Sequence, residues 1–200
     1  MILIAQEAPA MLRAVLTSSI DSGVHDFFVD HRPNWVVDIA KFLDRFGSSE
    51  ILLVVAVIIA VTWLARVRTT KLAIAVPTSI VVNMVIVAVL KKMVDRPRPD
   101  IAQQLVEATS ASLPSGHTAS AAALVTAILL VRSRTTDNSR RWTVLDYTLV
   151  AFALVSGVAR LVLGVHWLSD VLAGWFIGVL ISIVTVHIAS KILLCRPNTN

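Results

Sequence analysis

Apolar residues fall along this chain in long runs bounded by charges, the pattern of helices that cross a bilayer. Five runs stand clear: Ile51 to Ala65, Leu72 to Leu90, Thr118 to Val131, Val144 to Leu163 and Val171 to Ile188. Between Asp21 and Glu50 the polarity is mixed, with Phe27, Phe28, Trp35 and Phe42 set among acidic residues. Helices lying along the membrane interface are expected there. The first twenty residues would resemble a signal or a span were they not interrupted by Glu7, Pro9 and Arg13. They read as an interfacial helix, with a sixth span left open.

Composition agrees with the pattern. Of 200 residues, 56% are hydrophobic and 16% charged, and the mean hydropathy is +0.77. These values belong to a membrane protein. The length allows five or six spans of about 20 residues each, with little left for a separate soluble domain. The expected fold is all-α, an integral membrane helical bundle of five to six transmembrane helices forming a single domain over residues 1–200. Within it, 1–49 form an N-terminal interfacial segment or extra span and 50–190 the core. The single cysteine, Cys195, has no partner in the chain, which excludes a disulfide framework or a cysteine metal site within one subunit.

Charge sets an orientation. Arg66, Arg68, Lys71, Arg132, Arg134, Arg140, Arg141, Lys191 and Arg196 fall on one face, where the connecting segment carries the acid Asp137, so that face should be cytoplasmic. The first fifty residues carry four cations and seven acids. The other five basic residues, Lys91, Lys92, Arg96, Arg98 and Arg160, lie on the opposite side. The net charge of +5 therefore reflects topology and an anion site, not a nucleic-acid partner.

On that second side three short strings converge. Lys91 and Arg98-Pro99 end the second span, Pro114-Ser115-Gly116-His117 opens the third, and Arg160 closes the fourth ahead of His166 and Asp170 at the fifth. Their chemistry suits a phosphate. Its transfer is catalysed mainly by positioning and charge stabilisation. Arginines supply forked contacts and a lysine a compact charge. Ser115 can cap a helix whose first N–H groups, at Gly116 and His117, face an anion. Two histidines can divide attack on phosphorus from protonation of the departing oxygen. Asp170, four residues after His166 and within reach on one helical face, is placed to bond one ring nitrogen and leave the other as the stronger nucleophile. The catalytic reading is therefore His166 as nucleophile, His117 as acid and then base, and Asp170 as the group orienting His166. Lys91, Arg98, Ser115, Gly116 and Arg160 are the phosphate-binding residues.

Taken together these strings resemble the type 2 phosphatidic acid phosphatase (PAP2) family, which shares its active-site pattern with vanadium haloperoxidases. Lysine, six residues, then Arg-Pro is matched at Lys91 and Arg98-Pro99, and Pro-Ser-Gly-His at 114–117. Ser-Arg, five residues, His, three residues, Asp is matched at Arg160, His166 and Asp170, except that Ala159 stands where the family has serine. The resemblance covers roughly residues 50 to 190. It implies a PAP2/haloperoxidase-like helical core, a phosphohistidine on His166, and no metal or other cofactor. Ala159 bears on fine tuning of the phosphate pocket rather than on activity.

Other readings compete with this one. A lone cluster of Lys91, Lys92, Arg96 and Arg98 would be explained as interfacial anchors; here Lys92 and Arg96 are left as anchors or secondary contacts. His117, His166 and Asp170 could be taken for zinc ligands, but three neighbouring cations repel a metal ion. His25, His31 and His187 are read as structural or solvated, Asn83 and Pro77 as packing and kink residues, and Asp146 as the interfacial start of a helix. A bundle that only binds or moves phospholipids would need the cations but neither histidine. The expected substrate is a membrane lipid phosphate, first a polyprenyl diphosphate of the undecaprenyl type. Phosphatidylglycerol phosphate, phosphatidic acid and polyprenyl-linked sugar phosphates follow as alternatives. The expected location is the plasma membrane with the site on the extracytoplasmic face; the sequence sets no oligomeric state.

Overall fold

The computed structural model describes residues 18–66, 71–135 and 142–194. The expectation for most of the first twenty residues, together with Arg68, Asp137, Arg140, Arg141, Cys195 and Arg196, lies outside them. Among the described residues the chain is all-α, with seven α-helices: α1 (Ser19–Asp30), α2 (Asn34–Phe46), α3 (Ser49–Arg66), α4 (Ala75–Val94), α5 (Gly116–Thr135), α6 (Val144–Val162) and α7 (Leu168–Leu194). A 3₁₀ turn at Lys71–Ile74 leads into α4.

Five of these are long and apolar enough to cross a membrane: Ser49–Arg66, Lys71–Val94, Gly116–Thr135, Val144–Val162 and Leu168–Leu193. Most run a few residues past the apolar runs, because a helix continues into its polar ends while its backbone hydrogen bonds can still close. Their outer faces expose apolar side chains such as Val54, Ile58, Val85, Leu154, Phe176 and Ile183. Lipid satisfies such surfaces, and these helices have no internal backbone groups to leave unpaired.

At the centre stands α5, the most buried of the five spans. Its Ala119 to Ala123 stretch is fully enclosed, and it packs on α7 across two glycines. A Cβ at Gly178 would sit 2.2 Å from the Ala119 carbonyl oxygen, and one at Gly174 2.8 Å from that of Ser115. Small residues four apart let the two backbones touch, the usual device where lipid offers no hydrophobic drive for association. This contact brings the start of α5 against the start of α7, and so sets the distance between the second and third sequence strings. Just inside that end, Asn83 Nδ2 donates to Ser120 Oγ at 3.0 Å, and Ser49 and Ser120 share a 2.8 Å hydroxyl bond. Ser120 thus knits α3, α4 and α5, with Asn83 in the packing role expected of it.

The two short helices sit against the end of the bundle where α6 stops and α7 starts. On α2, Ala40 is buried with Leu163 and Val165, and Val36, Val37 and Leu43 pack alongside. Its Trp35, Ile39, Phe42 and Phe46 form an exposed apolar stripe, the surface an interfacial helix presents to headgroups and upper chains. Helix α1 is tied down differently, by polar groups: Ser18 caps it through the Asp21 N–H, and Arg32 beyond its end donates to the carbonyls of Gln103 and Val162. Asp146 closes a capping box with Thr143 at the start of α6, in line with its expected place at a helix start.

Candidate active site

All three strings end at one cavity of about 590 Å³, walled by Lys91, Arg98, Gly116, His117, Arg160 and His166. Asp95 ends α4 with a left-handed backbone (φ 45°, ψ 40°), a conformation aspartate tolerates. The chain is thereby turned inward after Lys91. Lys91 Nζ, in the last helical turn, donates to the Ala111 carbonyl and approaches Ser110 Oγ at 3.4 Å. Arg98 is held by its Nε on the Ser110 carbonyl (2.7 Å) and by Nη1 on the Val165 carbonyl (2.7 Å). Burial and the neighbouring Arg160 lower Arg98 to about 10, still a cation at neutral pH.

Arg98 Nη1 also lies 3.1 Å from His166 Nε2. A guanidinium has only donors, so that ring nitrogen must be the acceptor and the proton must reside on Nδ1. Nδ1 faces Asp170 Oδ2 at 3.4 Å. Burial, and then the charges of Arg98, Arg160 and Lys91, push the His166 pKa well below its ordinary 6.5. The ring is neutral, and its Nε2 lone pair, which accepts from Arg98, points to the side where Lys91, Arg98 and Arg160 stand.

His166 does not share a helix with Asp170, as the four-residue spacing suggested. It sits in the turn ahead of α7, while Asp170 is in the first turn. That turn needs Gly164, at φ +69°, where a Cβ would meet the Gln103 carbonyl oxygen at 2.7 Å. The contact survives because Asp170, an acid in the first turn, also accepts the Trp167 N–H at 2.9 Å, as a capping-box acid does. Asp170 is fully buried and acts on the cavity only through His166.

His117 opens α5 and is more accessible. Its Nε2 is 3.1 Å from the Asp44 carbonyl oxygen and 3.5 Å from Asp44 Oδ1. The same carboxylate pairs with Arg160 Nη1, whose side chain is otherwise enclosed, with Nε unpartnered among the described residues. Asp44 was not singled out in the sequence. Nothing local marks it, since it lies 116 residues from Arg160 and belongs to a helix read only as interfacial.

One expectation is corrected and another narrowed. Ser115 is wholly buried and does not line the cavity; its hydroxyl bonds Thr118 Oγ1 at 2.8 Å and its N–H donates to the Asp170 carbonyl at 3.0 Å. It joins the second string to the third rather than reaching toward a phosphate. Arg96, left as an anchor or secondary contact, is 3% exposed and forms ion pairs with both Asp21 and Asp170. Lys92, by contrast, is exposed as an anchor should be. His25 is structural: it is buried, with Nε2 2.7 Å from Gln103 Oε1 and its ring against Trp167. Ala159 is packed among Ala40, Val162 and Leu163. Among the described residues no group of three or more His, Cys, Asp and Glu is arranged to hold a metal ion.

Residues 72–193 match the family described as the PAP2 superfamily. The chain is 30% identical over 177 residues to phosphatidylglycerophosphatase B of Bacillus subtilis (strain 168), covering 86% of this chain and 84% of that protein. The crystal structure of a transmembrane PAP2 type phosphatidylglycerolphosphate phosphatase from Bacillus subtilis superposes with a TM-score of 0.79 at 25% identity, over 96% of this chain and 94% of the other. That of LpxE from Aquifex aeolicus shares the fold, with a TM-score of 0.69 at 22% identity over 85% and 96% of the two chains.

Proposed function

The chain belongs to the PAP2 superfamily of transmembrane lipid phosphatases, and from that premise we propose that it cleaves the terminal phosphate of a membrane lipid through a phosphohistidine on His166. The protein is a multi-pass membrane phosphatase, a phosphoric monoester hydrolase by family. The observation that carries the mechanism is Arg98 against His166 Nε2 with Asp170 at Nδ1. That pairing sets the tautomer a nucleophile needs.

Lys91, Arg98, Arg160 and the Gly116 end of α5 bind the phosphoryl group and spread its charge. Arg98 Nη1 leaves Nε2 for a phosphate oxygen. The freed Nε2 lone pair forms an N–P bond as the P–O bond to the lipid breaks, and His117 delivers a proton to the departing oxygen. Water then attacks phosphorus, His117 takes its proton, and the N–P bond breaks to release inorganic phosphate and neutral His166. Arg160 exchanges Asp44 for phosphate on binding. Residues 18–50 are read as part of this same single domain, since α2 supplies Asp44 and packs on the end of α6.

Phosphatidylglycerol phosphate is the first substrate reading, supported by the names of the two Bacillus subtilis relatives. The polyprenyl diphosphate preferred from sequence is the second: the cavity opens between polar residues, Ser48 and Thr109, and apolar ones, Met84 and Val87, which suits either head and chain. The site faces away from the cytoplasm, as supported by Arg66, Lys71, Arg132, Arg134 and Lys191 at the other end of the bundle. Phosphate release from phosphatidylglycerol phosphate, undecaprenyl diphosphate and phosphatidic acid, measured side by side in detergent, tests the substrate. Fastest turnover of the first is expected; preference for the second moves the protein to carrier-lipid recycling with the same chemistry.

A further inference from the structure

Behind His166 lies a buried polar cluster of which only Asp170 enters the steps above. Arg96 Nη1 donates to Asp170 Oδ1 at 2.5 Å and to Ser169 Oγ at 2.7 Å, while Nη2 donates to Asp21 Oδ2 at 2.8 Å. Asp21 in turn accepts the Ser169 N–H at 2.9 Å and the Ser169 hydroxyl at 2.7 Å. The guanidinium lies over the Trp167 ring, 5.8 Å from its centroid. Burial would raise the Asp21 carboxyl, but Ser169 and Arg96 outweigh it and hold it below its ordinary value, so Asp21 is a carboxylate. Its members come from α1, the turn after α4, and the first turn of α7. Asp21 lies far outside the residues that match the family, 72–193.

We propose that α1 positions the nucleophile: Asp21 clamps one arm of the Arg96 fork so that Asp170 gives only one oxygen to Arg96 and keeps the other for His166. The fork geometry explains why both acids are needed. An arginine faced by a single carboxylate takes it with both arms. If Asp21 no longer held Nη2, that arm would swing onto Asp170 and draw Oδ2 away from His166 Nδ1. The ring would lose the acceptor that keeps its proton on Nδ1, while the cations that bind phosphate would stay where they are. Asp21, Ser169 and Arg96 are thus positioning residues, and Arg96 acts through its shape as well as its charge. An interfacial helix with no contact to the substrate thereby sets the reactivity of the site.

This inference rests on the reading of His166 as nucleophile and Asp170 as its orienting group, so the test is a double-mutant cycle. Asp21→Asn, Asp170→Asn and the pair are purified in detergent, their folded fractions matched by thermal unfolding and size exclusion, and assayed on phosphatidylglycerol phosphate micelles. Asp21→Asn is expected to lower kcat about 10–100-fold, the usual cost of losing the partner of an oriented histidine's support, with KM nearly unchanged. In the Asp170→Asn background it should cost nothing further, because the two act as a unit. Arg96→Lys, which keeps the charge and loses the fork, should behave like Asp21→Asn. A kcat loss in Asp170→Asn with none in Asp21→Asn overturns the α1 clamp alone. Losses that multiply in the double variant, or that disappear once activity is expressed per folded protein, also overturn it by making the cluster merely structural. An unchanged kcat in Asp170→Asn removes the orienting role itself, and both readings fall together.

Discussion

The two histidines of the cavity occupy opposite kinds of surroundings. His166 is 2% exposed, lies against the Arg98 guanidinium and is backed by a carboxylate that is itself wholly enclosed. His117 has 28% of its side chain exposed and a partly open carboxylate, Asp44, beside it. Burial among cations keeps a ring neutral with its Nε2 lone pair unprotonated, which suits attack on phosphorus once Arg98 turns from it to the phosphate. A ring at the cavity mouth, with an acid nearby and water within reach, suits proton transfer to and from solvent-facing oxygens. The proposed division of labour rests on burial and charge more than on residue type.

Removing each ring should break this contrast unequally. His166→Ala is expected to abolish phosphate release, a loss of at least about 10⁴-fold, because no other group can form the N–P bond. A smaller deficit in steady-state release would remove its assignment. His117→Ala should cost about 10²–10⁴-fold on a lipid phosphate. That deficit should shrink on nitrophenyl phosphate, whose leaving group needs no proton, whereas the His166→Ala deficit should not. Equal losses on both substrates would place His117 in binding rather than acid catalysis.

Smaller changes sharpen the comparison. Asp44→Asn frees Arg160 from its carboxylate and should lower KM roughly 2–10-fold, since the incoming phosphate no longer competes for the same guanidinium; a raised KM would mean that Asp44 helps to seat the substrate. For pH, the buried His166 must be neutral to react, and its pKa is depressed below 6.5. It therefore stays active as pH falls through 6.5, and the acid limb of kcat/KM should lie below that value. An acid limb above 6.5 would contradict a desolvated, cation-ringed nucleophile. Prolonged treatment with EDTA should leave activity unchanged, and zinc-dependent rescue after its loss would restore the metal reading.

Much of this was legible in the sequence because charge interrupts apolar runs at span ends. Lys91, Arg98, His117, Arg160 and His166 were placed on one side of the bundle from the order of four spans alone, and the structure gathers them around one cavity. Helix ends were set a few residues short, since hydropathy falls before the backbone ladder stops. What could not be read is the contribution of α1 and α2. Asp44 and Asp21 meet residues 116 and 75 positions away, with no periodic signal to announce it. Arg96 looked like an anchor because two residues from Arg98 at a span end is also where snorkelling cations fall. Ser115 looked like a phosphate ligand because serine before a helix usually serves the backbone or an anion, yet the close α5–α7 contact leaves its hydroxyl only Thr118.

The most direct test of the central claim is rapid quenching of the purified protein with lipid substrate labelled in its terminal phosphate, followed by peptide mapping of the acid-labile, base-stable label. The account predicts a transient phosphohistidine on residue 166, absent in His166→Ala. Label on His117, or full turnover with no labelled protein at any time, would contradict it.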